Sequence, residues 1–302
     1  MHNVIYCRMS ATKYIYNTDA LLVKDAISFY LLGAFMTDGC ISHNANNKSF
    51  HSTISSIDKD WLENIRDILC PISPVKWTRD AYRLYVGNNE ISQWFIKHGC
   101  VPNKTLLATM PTIPDKYLPD FIRGCMDGDG SMCWSYNKAH GKNKIYITKC
   151  GSFHLTSSAP NFIFGLHNLL KKKKFKHSLS KRTNKNSKIN GRIIVPQNSH
   201  YCISAGGMSA FNFIKWVYYT NHPISMSRKN IIAQELINYY QTKSSIFRGG
   251  KKYFTKLTEE NVIEIKQLLK QKVAATTIAK QFGVSQSNIL AIKHGEIWKH
   301  IK

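Results

Sequence analysis

Residues 120–134 read DFIRGCMDGDGSMCW, and residues 28–42 read SFYLLGAFMTDGCIS. Aligned on the final Asp-Gly, Gly33 falls on Gly124, Asp38 on Asp129 and Gly39 on Gly130, each pair 91 residues apart. An isolated Asp-Gly suits a turn. A calcium loop begun at Asp127 would need Gly at its sixth position and Glu at its twelfth. The chain has Met132 and Lys138 there, so that reading fails.

The self-similarity extends well beyond the motif, as a structural repeat requires. FHSTISSIDKDWLENIRDIL (50–69) matches GSFHLTSSAPNFIFGLHNLL (151–170), which places Ile54 on Leu155 at an offset of 101. YRLYVGNNEISQWFIKHG (82–99) matches YCISAGGMSAFNFIKWVY (201–218) at an offset of 119, and PNKTL matches SRKNI with Lys104 on Lys229 at 125. The growing offset puts loop insertions in the second copy, at NKAHGKNK (137–144) and KRTNKNSKINGR (181–192). Period-two alternation, as in YRLYV, predicts strands. The apolar spacing of Trp61, Leu62, Ile65, Ile68 and Leu69 predicts a helix. Each copy therefore reads helix, two strands, helix, two strands, helix, an α+β unit. Polar residues alternate with apolar ones along the strands. That suits a sheet with one face on a core and the other on a polar partner.

Charge indicates the partner. Lys plus Arg number 42 and Asp plus Glu 18, a net charge of +24. Such an excess self-repels until a polyanion neutralises it. No apolar run approaches the ~20 residues of a spanning helix, and the N-terminal MHNVIYCRMS lacks a signal pattern. Nucleic acid rather than membrane is the expected partner. The eight cysteines form no C-x-x-C pair, which excludes the usual zinc modules and suits thiols in a reducing, intracellular compartment.

The recurring Asp-Gly has a chemical reading. A helix stopped by glycine presents the aspartate at the negative end of its dipole. An anion there calls for a cation. Gly33 and Gly124, five positions earlier, let two such helices approach backbone to backbone. The expected outcome is two carboxylates near a pseudo-twofold axis, holding Mg²⁺ or Mn²⁺ against phosphate oxygens. Asp127 has Met36 opposite it and is read as the dispensable acid.

LLGAFMTDG and IRGCMDGDG resemble the paired signature helices of the LAGLIDADG homing endonucleases, in their single-chain form. The resemblance covers roughly residues 25–240. It implies two pseudo-symmetric αββαββα repeats with the motif helices at their interface. It also implies a monomer that cuts double-stranded DNA at a long asymmetric site and leaves short 3′ overhangs, with each sheet in the major groove. Asp38 and Asp129 would be the metal-binding catalytic acids, and the Thr37 and Gly128 carbonyls further ligands. Lys104 and Lys229 would polarise water or phosphate, with Ser56 and Ser157 completing the network. Lys76, Thr78, Arg79 and Arg83 in the first copy, and Lys181, Arg182, Asn184 and Lys185 in the second, would contact DNA. Met36 in place of an acid and Arg123 in place of a small residue depart from the pattern. Arg123 puts close packing of the helices in doubt.

The C-terminal segment has another character. KSSIFRGGKKYF reads as a linker. Beyond it, Thr258 suits a helix start, and TTIAKQFGVSQSNILAIKHG resembles a helix-turn-helix module with Ala279 packed, Gly283 in the turn, Val284 in the core and Ser285 as cap. Gln286, Ser287, Asn288 and Lys293 would face DNA. The expected organisation is a first repeat at 1–118, a second at 119–242, a linker at 243–255 and an all-α helix-turn-helix domain at 256–302. The expected setting is a bacterial or phage-infected cytoplasm, or an organelle. The alternatives are a non-cleaving DNA-binding regulator, or a maturase acting on intron RNA.

Overall fold

A computed structural model of the chain describes residues 5–6, 14–44, 48–140, 145–182, 187–189, 192–194, 200–247, 257–298 and 301. It divides into two compact units, Met1–Ile237 and Asn238–Lys302. Among the described residues no helix is long and apolar enough to cross a membrane.

The larger unit opens with a short β1–β2 ladder (Ile5–Tyr6, Ile15–Tyr16) and the single-turn helix α1 (Asp19–Leu22). The first repeat follows as α2 (Ala26–Thr37), β3 (Gly39–Asn44), β4 (Ser49–Ser56), α3 (Lys59–Leu69), β5 (Val75–Thr78), β6 (Ala81–Val86) and α4 (Asn89–Lys97), then the one-turn α5 (Lys104–Leu107). The second repeat is α6 (Leu118–Gly128), β7 (Gly130–His140), β8 (Ile145–Ser157), α7 (Pro160–Lys172), β9 (Ser178–Arg182), a β10–β11 ribbon (Ser187–Ile189, Arg192–Ile194), β12 (His200–Gly206), α8 (Gly207–Val217) and α9 (Ser227–Phe247).

Each repeat forms one four-stranded antiparallel sheet, ordered β3-β4-β6-β5 and β7-β8-β12-β9. Register confirms the offsets read from sequence. Gly39 pairs with Ile54 and Gly130 with Leu155; Ser56 pairs with Tyr82 and Ser157 with Tyr201. The first insertion lengthens the β7–β8 hairpin to eleven paired positions, against six in β3–β4. The second insertion carries the β10–β11 ribbon.

One face of each sheet is roofed by helices. Ile54 and Leu84 are buried under Trp61, Leu62 and Ile65 of α3, and Phe95 of α4 stacks on Phe35 with centroids 4.3 Å apart. In the second repeat Phe153 stacks on Phe213 at 4.0 Å above Leu155 and Ile203. Successive strand residues point to opposite faces, so the other face of each sheet is left polar.

The smaller unit contains α10 (Glu259–Lys270), α11 (Ala275–Gln281) and α12 (Gln286–Lys293). Thr258 and Asn261 form a reciprocal capping box at α10. Gly283 takes the left-handed φ of 64° between α11 and α12, and the Ser285 hydroxyl accepts from Asn288 N at 3.3 Å. The helices close on Val262, Ile265, Ile278, Ile289 and Ile292. The expected linker does not begin at 243, because α9 remains helical to Phe247. Residues 248–256 lie outside the described residues.

Candidate active centre

The motif helices α2 and α6 meet at their glycines. A Cβ added to Gly33 would collide with the Phe121 carbonyl oxygen and lie 2.9 Å from Cys125 N. One added to Gly124 would collide with the Tyr30 carbonyl oxygen and lie 2.8 Å from Ala34 N. The doubt raised by Arg123 is therefore corrected. Its side chain, 0% exposed, turns into its own repeat. It donates from Nε to Ile224 O (2.8 Å), from Nη1 to Val217 O (3.1 Å) and from Nη2 to Asp120 Oδ1 (2.7 Å). A buried guanidinium with this many acceptors is tolerated, and the glycine side of the helix is left clear.

Asp38 and Asp129 are the C-cap residues of these helices, at φ −86° and −83°. Asp38 is half-buried; Asp129 is the more exposed of the two, yet desolvation by the surrounding protein still raises its carboxyl. Burial lifts the Asp38 carboxyl from 3.8 to about 6, helped by the Asp129 charge and opposed by Lys229 and Lys104. Burial also lifts Asp129, opposed by Lys104 and then Lys229. Both acids therefore sit where negative charge is uncomfortable and a cation would relieve it.

The two lysines occupy equivalent places. Lys104 Nζ donates to Met36 O at 2.9 Å and to Thr37 O. Lys229 Nζ donates to Met126 O at 2.9 Å, Asp127 O at 2.5 Å and Gly128 O at 2.6 Å. Each ammonium thus satisfies the bare carbonyls at the end of its own repeat's motif helix and complements the dipole there. The Thr37 and Gly128 carbonyls, expected as metal ligands, accept from lysines. Burial lowers the Lys229 ammonium, with Asp127 and Asp38 opposing.

Ser56 and Ser157 lie at strand ends. Their hydroxyls accept from Asp58 N (3.1 Å) and Ala159 N (3.2 Å), two residues on. These are local bonds that turn the chain into α3 and α7.

Sequence comparison misjudged Asp127. It is fully buried and accepts from Tyr30 Oη (2.7 Å), Tyr218 Oη (2.7 Å) and Met226 N (2.8 Å). Tyr30 Oη in turn accepts from Trp61 Nε1 at 2.6 Å. One carboxylate thus ties α2, α3, α6 and the approach to α9 together. Met36 opposite it was the available signal: an acid without a repeat partner has a job of its own. Asp127→Asn turns an amide donor towards one of three donors, and should cost about 2–4 kcal/mol. The urea midpoint of the variant measures this.

Among the described residues no group of three or more His, Cys, Asp or Glu side chains gathers. The Asp38 and Asp129 carboxylates are a pair, below the size of such a group. Mg²⁺ needs no more, since it keeps several waters and binds through one or two carboxylates plus phosphate. The donor set fits.

The polar sheet faces complete the arrangement. Directly paired residues share a face, so Cys40, Ser42, Thr53, Ser55, Arg83, Tyr85, Lys76 and Thr78 line one surface. Lys76, Thr78 and Arg83 are thus brought together, with Arg83 Nη2 held by Asp80 Oδ1 at 3.1 Å. Arg79 sits in the hairpin turn at φ 62°. In the second sheet Ser131, Cys133, Ser152, His154, Thr156, Ser180, Ser204 and Arg182 share the polar face. Lys181 does not: it pairs with Tyr201, on the face of Leu179 and Ile203. Asn184 and Lys185 lie outside the described residues. In the smaller unit Gln286, Ser287, Asn288 and Lys293 are all exposed on α12. Period-two alternation pointed to a polar face of this kind, and the ladder registers say which hydroxyl residues share it with the expected cations.

No protein-family model and no curated protein matches the chain. Solved structures do. The LAGLIDADG meganuclease I-AabMI bound to uncleaved DNA aligns at a TM-score of 0.50 and 12% identity, over 72% of this chain and 92% of that one. The chain has the two-repeat LAGLIDADG meganuclease fold. I-SmaMI bound to uncleaveable DNA with a TTGT central four aligns at 0.48 and 12%, over 72% and 91%. In this fold α2 and α6 meet at Gly33 and Gly124, and Asp38 and Asp129 end them.

Proposed function

We propose that the chain is a metal-dependent homing endonuclease, acting as a monomer on double-stranded DNA at a long asymmetric site and leaving short 3′ overhangs. One observation carries this reading. Two carboxylates end two interlocked helices at the junction of the repeats, each with a lysine charge acting on it, on a chain of net charge +24.

In this reading Asp38 and Asp129 hold Mg²⁺ or Mn²⁺. When bound, such an ion acidifies water and neutralises phosphate charge. The two carboxylates would hold the ion, and Lys104 and Lys229 would balance charge around them. A water oxygen bonds to phosphorus and gives up one proton to solvent, the bond to the 3′ oxygen breaks, and that oxygen takes up a proton. The two polar sheet faces lie in the major groove over a footprint of about 20 base pairs. Serine, threonine and asparagine there can read base edges, while Lys76 and Arg182 meet phosphates. Gln286, Ser287, Asn288 and Lys293 on α12 extend the site through a second groove contact.

Incubation with a genomic or random DNA library, in Mg²⁺ and separately in Ca²⁺, followed by sequencing of new ends, tests this. A single long motif cut in Mg²⁺ is the expected result. Binding without cutting in Mg²⁺ overturns it and leaves the regulator, a reading favoured by the capped three-helix tail. Selective binding of intron RNA would point to the maturase. On the recovered site, Lys76→Ala should weaken binding by about 1 kcal/mol and reduce the salt slope by about one unit. Titrations at several salt concentrations measure both.

A further inference from the structure

The connection from α7 to β9 brings two imidazoles together. His167 lies within α7 and His177 immediately precedes β9. Both are half-buried. Their rings stand edge to face at 84°, with centroids 4.8 Å apart. His177 Nδ1 lies 2.8 Å from Phe175 O. A carbonyl only accepts, so that nitrogen carries the ring proton and His177 Nε2 keeps its lone pair. His167 Nδ1 meets this Nε2 at 2.8 Å and donates to it. The other His167 nitrogen, Nε2, makes no hydrogen bond among the described residues. Moving the His167 proton to Nε2 therefore gives up only the bond between the rings. It leaves two lone pairs on adjacent nitrogens for one cation.

His177 is held in place by its surroundings. Lys174 takes the left-handed φ of 62° after α7, and Phe175 N donates back to Leu170 O at 3.0 Å, a Schellman closure. The Phe175 ring packs on Trp216 and Phe213 of α8, with centroids 4.8 Å and 5.8 Å apart. Its carbonyl is thereby fixed, and it fixes the tautomer of His177, as the carbonyl partners of metal-bound histidines do. By the repeat offset and the ladder partners of Tyr82 and Tyr201, Arg66 and Ser73 stand at the equivalent positions of the first repeat. The histidine pair belongs to the second repeat alone.

Neutral ring nitrogens suit borderline transition metals; Mg²⁺ and Ca²⁺ take oxygen ligands. Burial, the His177 ring and Lys171 each push the His167 imidazole below its ordinary pKa, which keeps the ring neutral. The nearby Lys171, Lys172, Lys174 and Lys176 are exposed. Their charges are screened by salt, and they oppose an ion held by charge more than one held by bonds to nitrogen. A tetrahedral Zn²⁺ at about 2 Å from each nitrogen parts the two to about 3.3 Å, a shift that half-buried rings accommodate. Water completes the tetrahedron.

We propose that His167 and His177 chelate a transition-metal ion of the Zn²⁺ class, a site separate from the Asp38 and Asp129 carboxylates, and that the ion clips α7 to the edge strand β9. β9 carries Ser180 and Arg182 on the polar face of the second sheet. The ion would therefore stiffen one border of that face. The proposal does not depend on the endonuclease reading.

Zn²⁺ is titrated calorimetrically into the full chain in excess Mg²⁺, which fills oxygen-ligated sites. His167→Gln and His177→Gln should each weaken the tightest Zn²⁺ binding by at least about 10-fold. His167→Arg, which installs the residue of the first repeat, should do the same. Melting curves in EDTA should stay near wild type for all three. On wild type, Zn²⁺ should protect His167 and His177 from diethyl pyrocarbonate ahead of the other histidines, read by peptide mass spectrometry. Hydrogen exchange in β9 should slow as Zn²⁺ is added. Zn²⁺ binding unchanged in the three variants, or protection that spares these two histidines, overturns the chelate. Protection of the pair with β9 exchange unmoved overturns the clip. If a variant fails to fold, the labelling of wild type decides.

Discussion

Asp38→Asn should bind the target, fail to cut it, and yet melt above wild type in metal-free buffer at neutral pH. Loss of a metal-holding carboxylate should slow cutting by about 10³-fold or more. Asp129→Asn should do the same, because each half of the site relies on both acids. The stability effect follows from linkage. The Asp38 carboxyl rises from 3.8 to about 6 on folding, chiefly through burial. Between those values the folded chain binds more protons than the unfolded one, so stability falls as pH rises. The favourable contribution is complete below the unfolded value and is lost through about 6. Above it, the ionised acid costs about 1–3 kcal/mol. Asparagine carries no such penalty. Melting curves in EDTA at acid and at mildly alkaline pH separate the cases: the variant's advantage should open as pH rises. Mg²⁺ should then raise the wild-type midpoint and leave the variant's unmoved. A wild type more stable than Asp38→Asn throughout would mean that the carboxylate is not under strain and that its cation is already supplied by lysine.

The placing of the two acids at the ends of α2 and α6 was partly legible in the sequence. The repeat supplied the acids, the glycines and the lysines, because each appears twice and an alignment of the chain with itself finds what symmetry preserves. It also supplied the register, since Ile54 and Leu155, or Tyr82 and Tyr201, stand at matching ladder positions. The same method is blind to what only one half contains. Asp127 was set aside because Met36 faced it, yet its three donors make it the hub of the interface. The bridge in which Arg228 donates to the Asp58 carboxylate escaped for the same reason: Asn103 and Ala159 stand at the equivalent positions and cannot form it, and 170 residues separate the pair. Arg123 looked too large for a helix interface because a linear motif does not say which way a side chain turns. Lys181 and Arg182 looked alike as neighbouring cations, and a one-residue step along a strand put them on opposite faces.

Gly124→Val should be the most damaging single change in the larger unit, at about 5 kcal/mol or more. Backbone rather than side chain lies where the new atoms must go. The Tyr30 carbonyl oxygen, Ala34 N and the Gly33 carbonyl carbon all sit inside the contact distance of a Cβ. A flexible neighbour could swing aside at modest cost, but a helix backbone moves only as a body. Separating α2 from α6 would lengthen the bond from Tyr30 to Asp127 and, through it, the bond from Trp61. It would also draw Asp38 away from Asp129. A loss of cooperative unfolding, or a variant that is folded by circular dichroism but has lost near-ultraviolet tryptophan signal, is the expected observation. Gly33→Val should behave alike, because its Cβ meets Phe121 O and Cys125 N in the same way. The smaller unit offers the internal control. Its core of Val262, Ile265, Ile289 and Ile292 is its own, so the isolated amide signals of α10 to α12 should persist in both variants. If instead Gly124→Val melts within a degree or two of wild type and still cuts DNA, the helices are not in backbone contact, and the shared centre between Asp38 and Asp129 falls with that contact.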